Sequence, residues 1–248
     1  MSTPSQAAPV VFIPALLCGE QLYRDVIAAL GDAIEPHVLL SPKPRLEDSV
    51  ADILARAPAR FALVGTSYGG NVAMEVALAA PERVTALWLM GCSPAAPQVG
   101  GPDLAGGMAA TLDAVFDMLA GLVVHKDAVA QAAVFKAMAQ RVGGPAGAAQ
   151  ARALAVRQEA ASRLGALVMP ALVLSGQQDA LVPVTVGESL ATALPHARFE
   201  VLPGCGHLPT LEKPAESAAM FTRLLETAEA GAIYGGRPVA SGPLEAGP

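Results

Sequence analysis

The sequence predicts an α/β fold, a doubly wound, mostly parallel sheet carrying an inserted helical cap. Three observations predict it. Short apolar runs bounded by turn residues alternate with longer helical patterns along most of the chain. The runs are apolar on both faces, as strands are when helices cover both sides of a parallel sheet. One stretch, residues 94–164, breaks the alternation and carries helical pattern alone.

In chain order, residues 10–13 read as a strand and 20–30 as a helix. A second strand follows at 37–40, just past Glu35-Pro36, with a helix over 46–56. Residues 61–64 form a third strand, 71–80 a helix and 84–90 a fourth strand. After the insertion come strands at 171–175 and 198–201, each followed by a helix, at 184–193 and 214–226. Within the insertion, glycine pairs at 100–101, 106–107 and 143–144 punctuate three helical segments, 109–124, 126–141 and 148–164. Met108, Leu112, Phe116, Met118, Leu119, Val134, Phe135 and Met138 give these more apolar surface than solvated helices need. Two readings fit: ordinary core packing, or a cover over the sheet that lines an apolar cleft. From residue 230 onward glycine and proline recur, and a flexible tail is expected.

Composition narrows the function. The chain has 248 residues, 16 Lys+Arg and 22 Asp+Glu, for a formal charge of -6. That length suffices for one large core. The acidic balance argues against nucleic acid as a partner, and a mean hydropathy of +0.45 argues against disorder. No window of about 20 residues is continuously apolar, so no membrane span is expected. The start lacks the basic residues of a signal peptide, since no Lys or Arg precedes Arg24. Cys18, Cys92 and Cys205 are too few and too scattered for a disulfide framework or a metal site. Buried free thiols in a reducing, cytoplasmic setting are expected.

The chemistry concentrates at Gly65-Thr66-Ser67-Tyr68-Gly69. An apolar strand leads into this G-x-S-x-G and a helical run leads out, the setting of a nucleophile elbow. Bulk at Gly65 or Gly69 would collide with neighbouring backbone, and Ser67 would sit strained at the apex. A serine hydroxyl needs a positioned base. Of the four histidines, His37 opens a strand, His125 lies between insertion helices and His196 stands before the last strand. His207 alone lies in a loop beyond a strand's carboxyl end, where sites in such sheets gather. Asp179, in the loop after strand 171–175, is placed to orient that histidine. The loop after strand 84–90, Gly91-Cys92-Ser93, holds no acid.

Ser67, Asp179 and His207, in that chain order, make the sequence resemble the α/β-hydrolases. The resemblance covers about residues 8 to 228 and rests on the elbow, the Gly176-Gln177-Gln178-Asp179 loop, the Gly206-His207 loop and the strand order. It implies a hydrolase core over 1–93 and 165–228, a helical cap over 94–164 and a tail over 229–248. Because so few residues precede the first strand, the antiparallel hairpin that opens many relatives is expected to be missing or very short. The oxyanion hole would take the N–H of Tyr68, directly after the nucleophile. The resemblance draws the second donor from the loop after the first strand. Relatives commonly have His-Gly where Pro14-Ala15 stand, which points to Leu16, with Leu17 the alternative.

The implied activity is hydrolysis of carboxylic esters with small to medium apolar groups, through an acyl-enzyme on Ser67 and without metal or organic cofactor. In general appearance the chain is similar to small carboxylesterases such as the pimeloyl-carrier-protein methyl esterases and the 3-oxoadipate enol-lactonases. Lactone, thioester or C–C cleavage, acyl transfer and perhydrolysis use the same triad in relatives. A small-molecule ester is the expected partner, and an acyl group on a carrier protein is the alternative, docking on Lys126, Lys136, Arg141, Arg152, Arg157 and Arg163. A non-catalytic, ligand-binding protein of this fold is the reading from a different class.

Overall fold

The computed structural model describes residues 7–97, 100, 103–110 and 112–233. Six strands form one sheet: β1 (Ala8–Ile13), β2 (Ile34–Val38), β3 (Phe61–Thr66), β4 (Val84–Met90), β5 (Ala171–Gly176) and β6 (Ala197–Leu202). Their order is β2-β1-β3-β4-β5-β6, and among the described residues every pairing is parallel. After β1 the chain pairs outward to β2, then crosses to β3 on the other side. The loops following β1 and β3 therefore part at a topological switch point, where such sheets open a crevice.

Helices α1 (Arg24–Leu30), α2 (Leu46–Arg56), α3 (Tyr68–Ala79), α8 (Val184–Ala193) and α10 (Pro214–Ile233) connect and cover the strands. Between β4 and β5 the chain forms α4 (Leu104–Ala110), α5 (Leu112–Leu122), α6 (Val129–Val142) and α7 (Gly144–Ala155), then a 3-10 turn over Ala161–Ala166. The Ala160 N–H donates to the Pro94 carbonyl at 2.8 Å, so this excursion leaves and returns through a narrow neck.

Strand alternation divides the core. Val10 and Phe12 face one layer with Tyr23, Trp88 and Phe221, where the Trp88 and Phe221 rings stack at 4.8 Å. Val11 and Ile13 face the other with Ile53, Leu63, Val72, Leu87, Leu89 and Leu190. Met108, Phe116, Leu119, Phe135 and Met138 of the excursion extend the first layer, packing with Leu17, Cys205 and Leu208. Met118 instead faces solvent. All three cysteines are free and buried.

Several elements differ from the sequence reading. β2 begins at Ile34, pairs Pro36 with Val10 and ends at Val38, where a strand from 37 was expected. An edge strand tolerates a proline that a central one would not. The expected helix 20–30 is a 3-10 turn over Glu20–Leu22 followed by α1, broken at Tyr23. Among the described residues the excursion has four helices where three were expected: α4 begins before the segment expected at 109–124, and α5 occupies most of the rest of it. The expected helix 148–164 starts earlier, at Gly144 directly after Gly143 (φ +83°), and ends at Ala155. A four-residue helix, α9 (Pro209–Glu212), follows His207. Helix α10 continues to Ile233, past residue 226 and into the stretch expected to be a tail. The rest of that stretch lies outside the described residues.

Candidate active site

The elbow is built by backbone. Ser67 sits between β3 and α3 at φ +55°, ψ −117°, a region L residues rarely occupy. Its N–H donates to the Met90 carbonyl at 2.8 Å, and its own carbonyl accepts from Asn71 N–H and Asn71 Nδ2, both at 3.1 Å. A side chain on Gly69 would stand 2.6 Å from the Pro14 carbonyl oxygen and closer still to that of Ile13. One on Gly65 would strike the Gly69 carbonyl. The loop after β1 is thus pressed onto the first turn of α3. Tyr68 opens that helix, so its N–H has no carbonyl of the helix to receive it. The Tyr68 hydroxyl is buried between Ser49 Oγ (2.8 Å) and the Ser41 carbonyl (2.9 Å), which anchors the turn to α2, and burial pushes its pKa up.

Asp179 and His207 meet directly. His207 Nδ1 lies 2.8 Å from Asp179 Oδ2, and both side chains are 2% exposed. The other carboxylate oxygen accepts the N–H groups of Leu181 (2.8 Å) and Val182 (2.9 Å), which fixes the plane of the acid. The imidazole lies on Gly91. A methyl carbon there would be 2.8 Å from Cε1 and 2.9 Å from Nδ1, so glycine at this position is what admits the ring. Gly91 directly follows Met90, the residue that holds the Ser67 N–H. The ring and the elbow therefore share one corner of the site. His207 Nε2 is buried and has no hydrogen-bond partner among the described residues.

Of the other histidines, His125 packs its backbone beside Gly206. His37 faces Glu35 at 3.2 Å on the edge strand, His196 is exposed before β6, and His125 lies between α5 and α6. Leu16 and Leu17 are the middle residues of a turn closed by the Cys18 N–H on the Ala15 carbonyl at 2.9 Å. Leu17, like Ser67, is a non-glycine residue with positive φ, at +61°. Its N–H donates to Gln150 Oε1 of α7 at 3.0 Å, while the Leu16 N–H has no acceptor among the described residues.

Two supports escape a reading of sequence. Glu212 gathers three backbone donors: its Oε2 accepts from His125 (2.7 Å) and Gly206 (2.9 Å), and its Oε1 accepts from Leu208 (3.2 Å). It thereby grips both flanks of His207, and its spacing five residues after that histidine was the available signal. The Tyr23 hydroxyl donates to the Ile13 carbonyl (2.8 Å) and meets Thr66 Oγ1 (2.9 Å), tying the ends of β1 and β3. Nothing local to residue 23 announces that role. Among the described residues no cluster of His, Cys, Asp or Glu could hold a metal ion, and no helix is long and apolar enough to cross a membrane.

The alpha/beta hydrolase family matches residues 11–220. The chain belongs to that family. This alpha/beta hydrolase is 29% identical, over 194 residues, to a pimeloyl-[acyl-carrier protein] methyl ester esterase of Nitrosomonas europaea, covering 71% of this chain and 76% of that one. It is 33% identical, over 195 residues, to a 2-hydroxymuconate semialdehyde hydrolase of a Pseudomonas species, covering 69% and 64%. Its fold matches the enol-lactonase of Burkholderia xenovorans with a TM-score of 0.79 at 20% identity, over 91% of this chain and 94% of that one. The hydrolase fold and the esterase-named relatives support an enzyme that hydrolyses esters.

Proposed function

We propose that the protein is a serine hydrolase of carboxylic esters in which Ser67 is the nucleophile, His207 the base and Asp179 the residue that orients it. The observation that carries this is the imidazole on Gly91, directly after the residue that accepts the Ser67 N–H: its Nδ1 is held by a buried carboxylate and its Nε2 is buried without a partner among the described residues. An Nδ1–H donated to Asp179 leaves the Nε2 lone pair to take the Ser67 proton. Ser67 Oγ then attacks the ester carbonyl, and the oxyanion that forms is met by the N–H groups of Tyr68 and Leu16. The intermediate collapses, the alcohol departs with the proton from Nε2, and water, deprotonated by the same nitrogen, releases the acid and restores Ser67. No cofactor enters the scheme.

In this reading helices α4–α7 are the cap, and their Met108, Phe116, Phe135 and Met138 are buried where it packs onto the core. The esterase of Nitrosomonas named for a carrier-protein ester supports a second substrate form, an acyl group presented on a carrier. Lys126 and Arg152 are exposed on this segment for an acidic partner, whereas Lys136 is already paired with Asp117 and Arg141 donates to Gln21. The buried unpaired thiols support a cytoplasmic location.

The test is steady-state hydrolysis of p-nitrophenyl acetate, butyrate and octanoate, together with fluorophosphonate labelling, by the wild type and Ser67→Ala. Turnover and labelling that vanish in the variant are expected. A wild type that neither turns over nor labels overturns the reading in favour of a ligand-binding role.

A further inference from the structure

Gln150 is 2% exposed, a buried amide in a helix that is otherwise rich in alanine. Its Oε1 accepts one hydrogen bond, from the N–H of Leu17, which is 133 positions away in the chain. That amide belongs to the left-handed residue of the Ala15–Cys18 turn, a strained conformation for leucine that persists only when its surroundings enforce it. One turn earlier on the same helix, Gly147 is open to receive the Leu17 side chain. A methyl carbon there would be 2.8 Å from Met108 Sδ and closer still to Leu17 Cδ2. Helix α7 thus grips Leu17 twice, by its backbone and by its side chain.

We propose that Gln150 is a positioning residue for the oxyanion hole: by consuming the Leu17 N–H it holds the turn so that the Leu16 N–H alone is offered to the substrate oxygen. The inference rests on the serine-hydrolase reading and selects between the two amides that the sequence left open. It follows that helix α7 completes the catalytic apparatus as well as covering the substrate. A turn released from Gln150 relaxes toward ordinary leucine dihedrals, and the Leu16 N–H rotates off the site. Such a loss acts where charge develops, so it lowers kcat and leaves ground-state binding nearly untouched.

The experiment compares the wild type with Gln150→Ala, Gln150→Met and Gln150→Glu on p-nitrophenyl butyrate. The first two remove the acceptor, Met at nearly unchanged length, and Glu keeps an acceptor oxygen. The expected result is a kcat loss of about tenfold or more in Ala and Met, towards the 10²–10³ typical of losing one oxyanion donor, with KM within about twofold. Gln150→Glu should retain kcat within about threefold of wild type. Where Gln150→Ala fails to fold, Gln150→Met gives the reading. A rise in KM at unchanged kcat, or a Glu variant as impaired as Met, overturns the proposal while leaving the hydrolase reading intact. An inactive, unlabelled wild type instead removes the hydrolase reading and the proposal with it.

Discussion

Replacing Gly69 by alanine tests whether the elbow and the loop after β1 form one rigid unit. The added methyl carbon would point at backbone: 2.6 Å from the Pro14 oxygen, and nearer to the Ile13 oxygen and carbon. Carbon atoms on real side chains do not approach below 3.0 Å, so Pro14 must withdraw by roughly 0.4 Å and Ile13 by on the order of an ångström. Neither can yield freely. The Ile13 oxygen is also the acceptor for the buried Tyr23 hydroxyl, and β1 is paired on both sides. Overpacking of this kind costs typically 1–3 kcal/mol, against about 1 kcal/mol gained by exchanging glycine for alanine in a helix. The net loss of about 0–2 kcal/mol corresponds to a fall in Tm of up to about 8 °C for a chain of this size. Activity should suffer more than stability, because Pro14 leads directly into the Leu16 turn. A displaced donor costs on the order of 10²–10³ in kcat. Gly19→Ala, where no atom lies within 4 Å of the added carbon, is the control. Thermal melts and p-nitrophenyl butyrate kinetics read both effects, and a Gly69→Ala protein that matches wild type in kcat refutes the reasoning.

Asp179→Asn keeps an acceptor for Leu181 and Val182 but weakens control of the His207 tautomer, and kcat should fall by about 10⁴ while the fold, followed by circular dichroism, is retained. Glu212→Gln replaces one of two acceptor oxygens by an N–H group facing backbone donors. A loss of about 1.5–3 kcal/mol is expected, read as a lower Tm, and an unchanged Tm argues against the clamp. Burial raises the Cys18 thiol and pushes that of Cys92 up to about 12. Their folded values thus lie above the unfolded value of about 8.5, and the stability they support is complete below that pH and lost as pH rises. Urea midpoints should hold up to about pH 8 and then fall, each thiol contributing about 1.4 kcal/mol per pH unit. A Cys18→Ala, Cys92→Ala double variant should show a flatter profile.

Much of this architecture is legible in sequence because local and global signals agree. Leu46–Arg56, Val84–Met90 and Val184–Ala193 occur with the bounds their periodicity predicts, and the Gly65-x-Ser67-x-Gly69 turn has the close approaches its glycines suggest. Errors arise where context overrides a local rule. The strand expected from 37 begins at Ile34 and includes Pro36, which an edge position tolerates, and the helix expected over 148–164 gives way at Ala155 to a 3-10 turn. The supports of the site were harder to read. Gln150 and Leu17 lie 133 residues apart, and a hydrogen bond from a side chain to a distant backbone amide leaves no periodicity to detect. Gly91 read as the absence of an acid, whereas the structure makes it the seat of the His207 ring.

The neck at Pro94 and Ala160 has a bearing on how such an enzyme diversifies. β4 and β5 pair with each other directly, so the sheet is already continuous beneath the excursion and asks nothing of it beyond two ends that meet. Lengthening a segment whose ends are joined costs little, only about 0.6 kcal/mol for each doubling. On the proposed function, exchange of the helices between those two residues is a low-barrier route to a new substrate preference. What constrains the newcomer is a short list of handholds: an acceptor for the Leu17 amide, a donor for Glu212 and a carbonyl for the His207 N–H, which Val123 now supplies at 3.2 Å. A chimera that reproduces those three should keep its chemistry whatever else its new roof is made of.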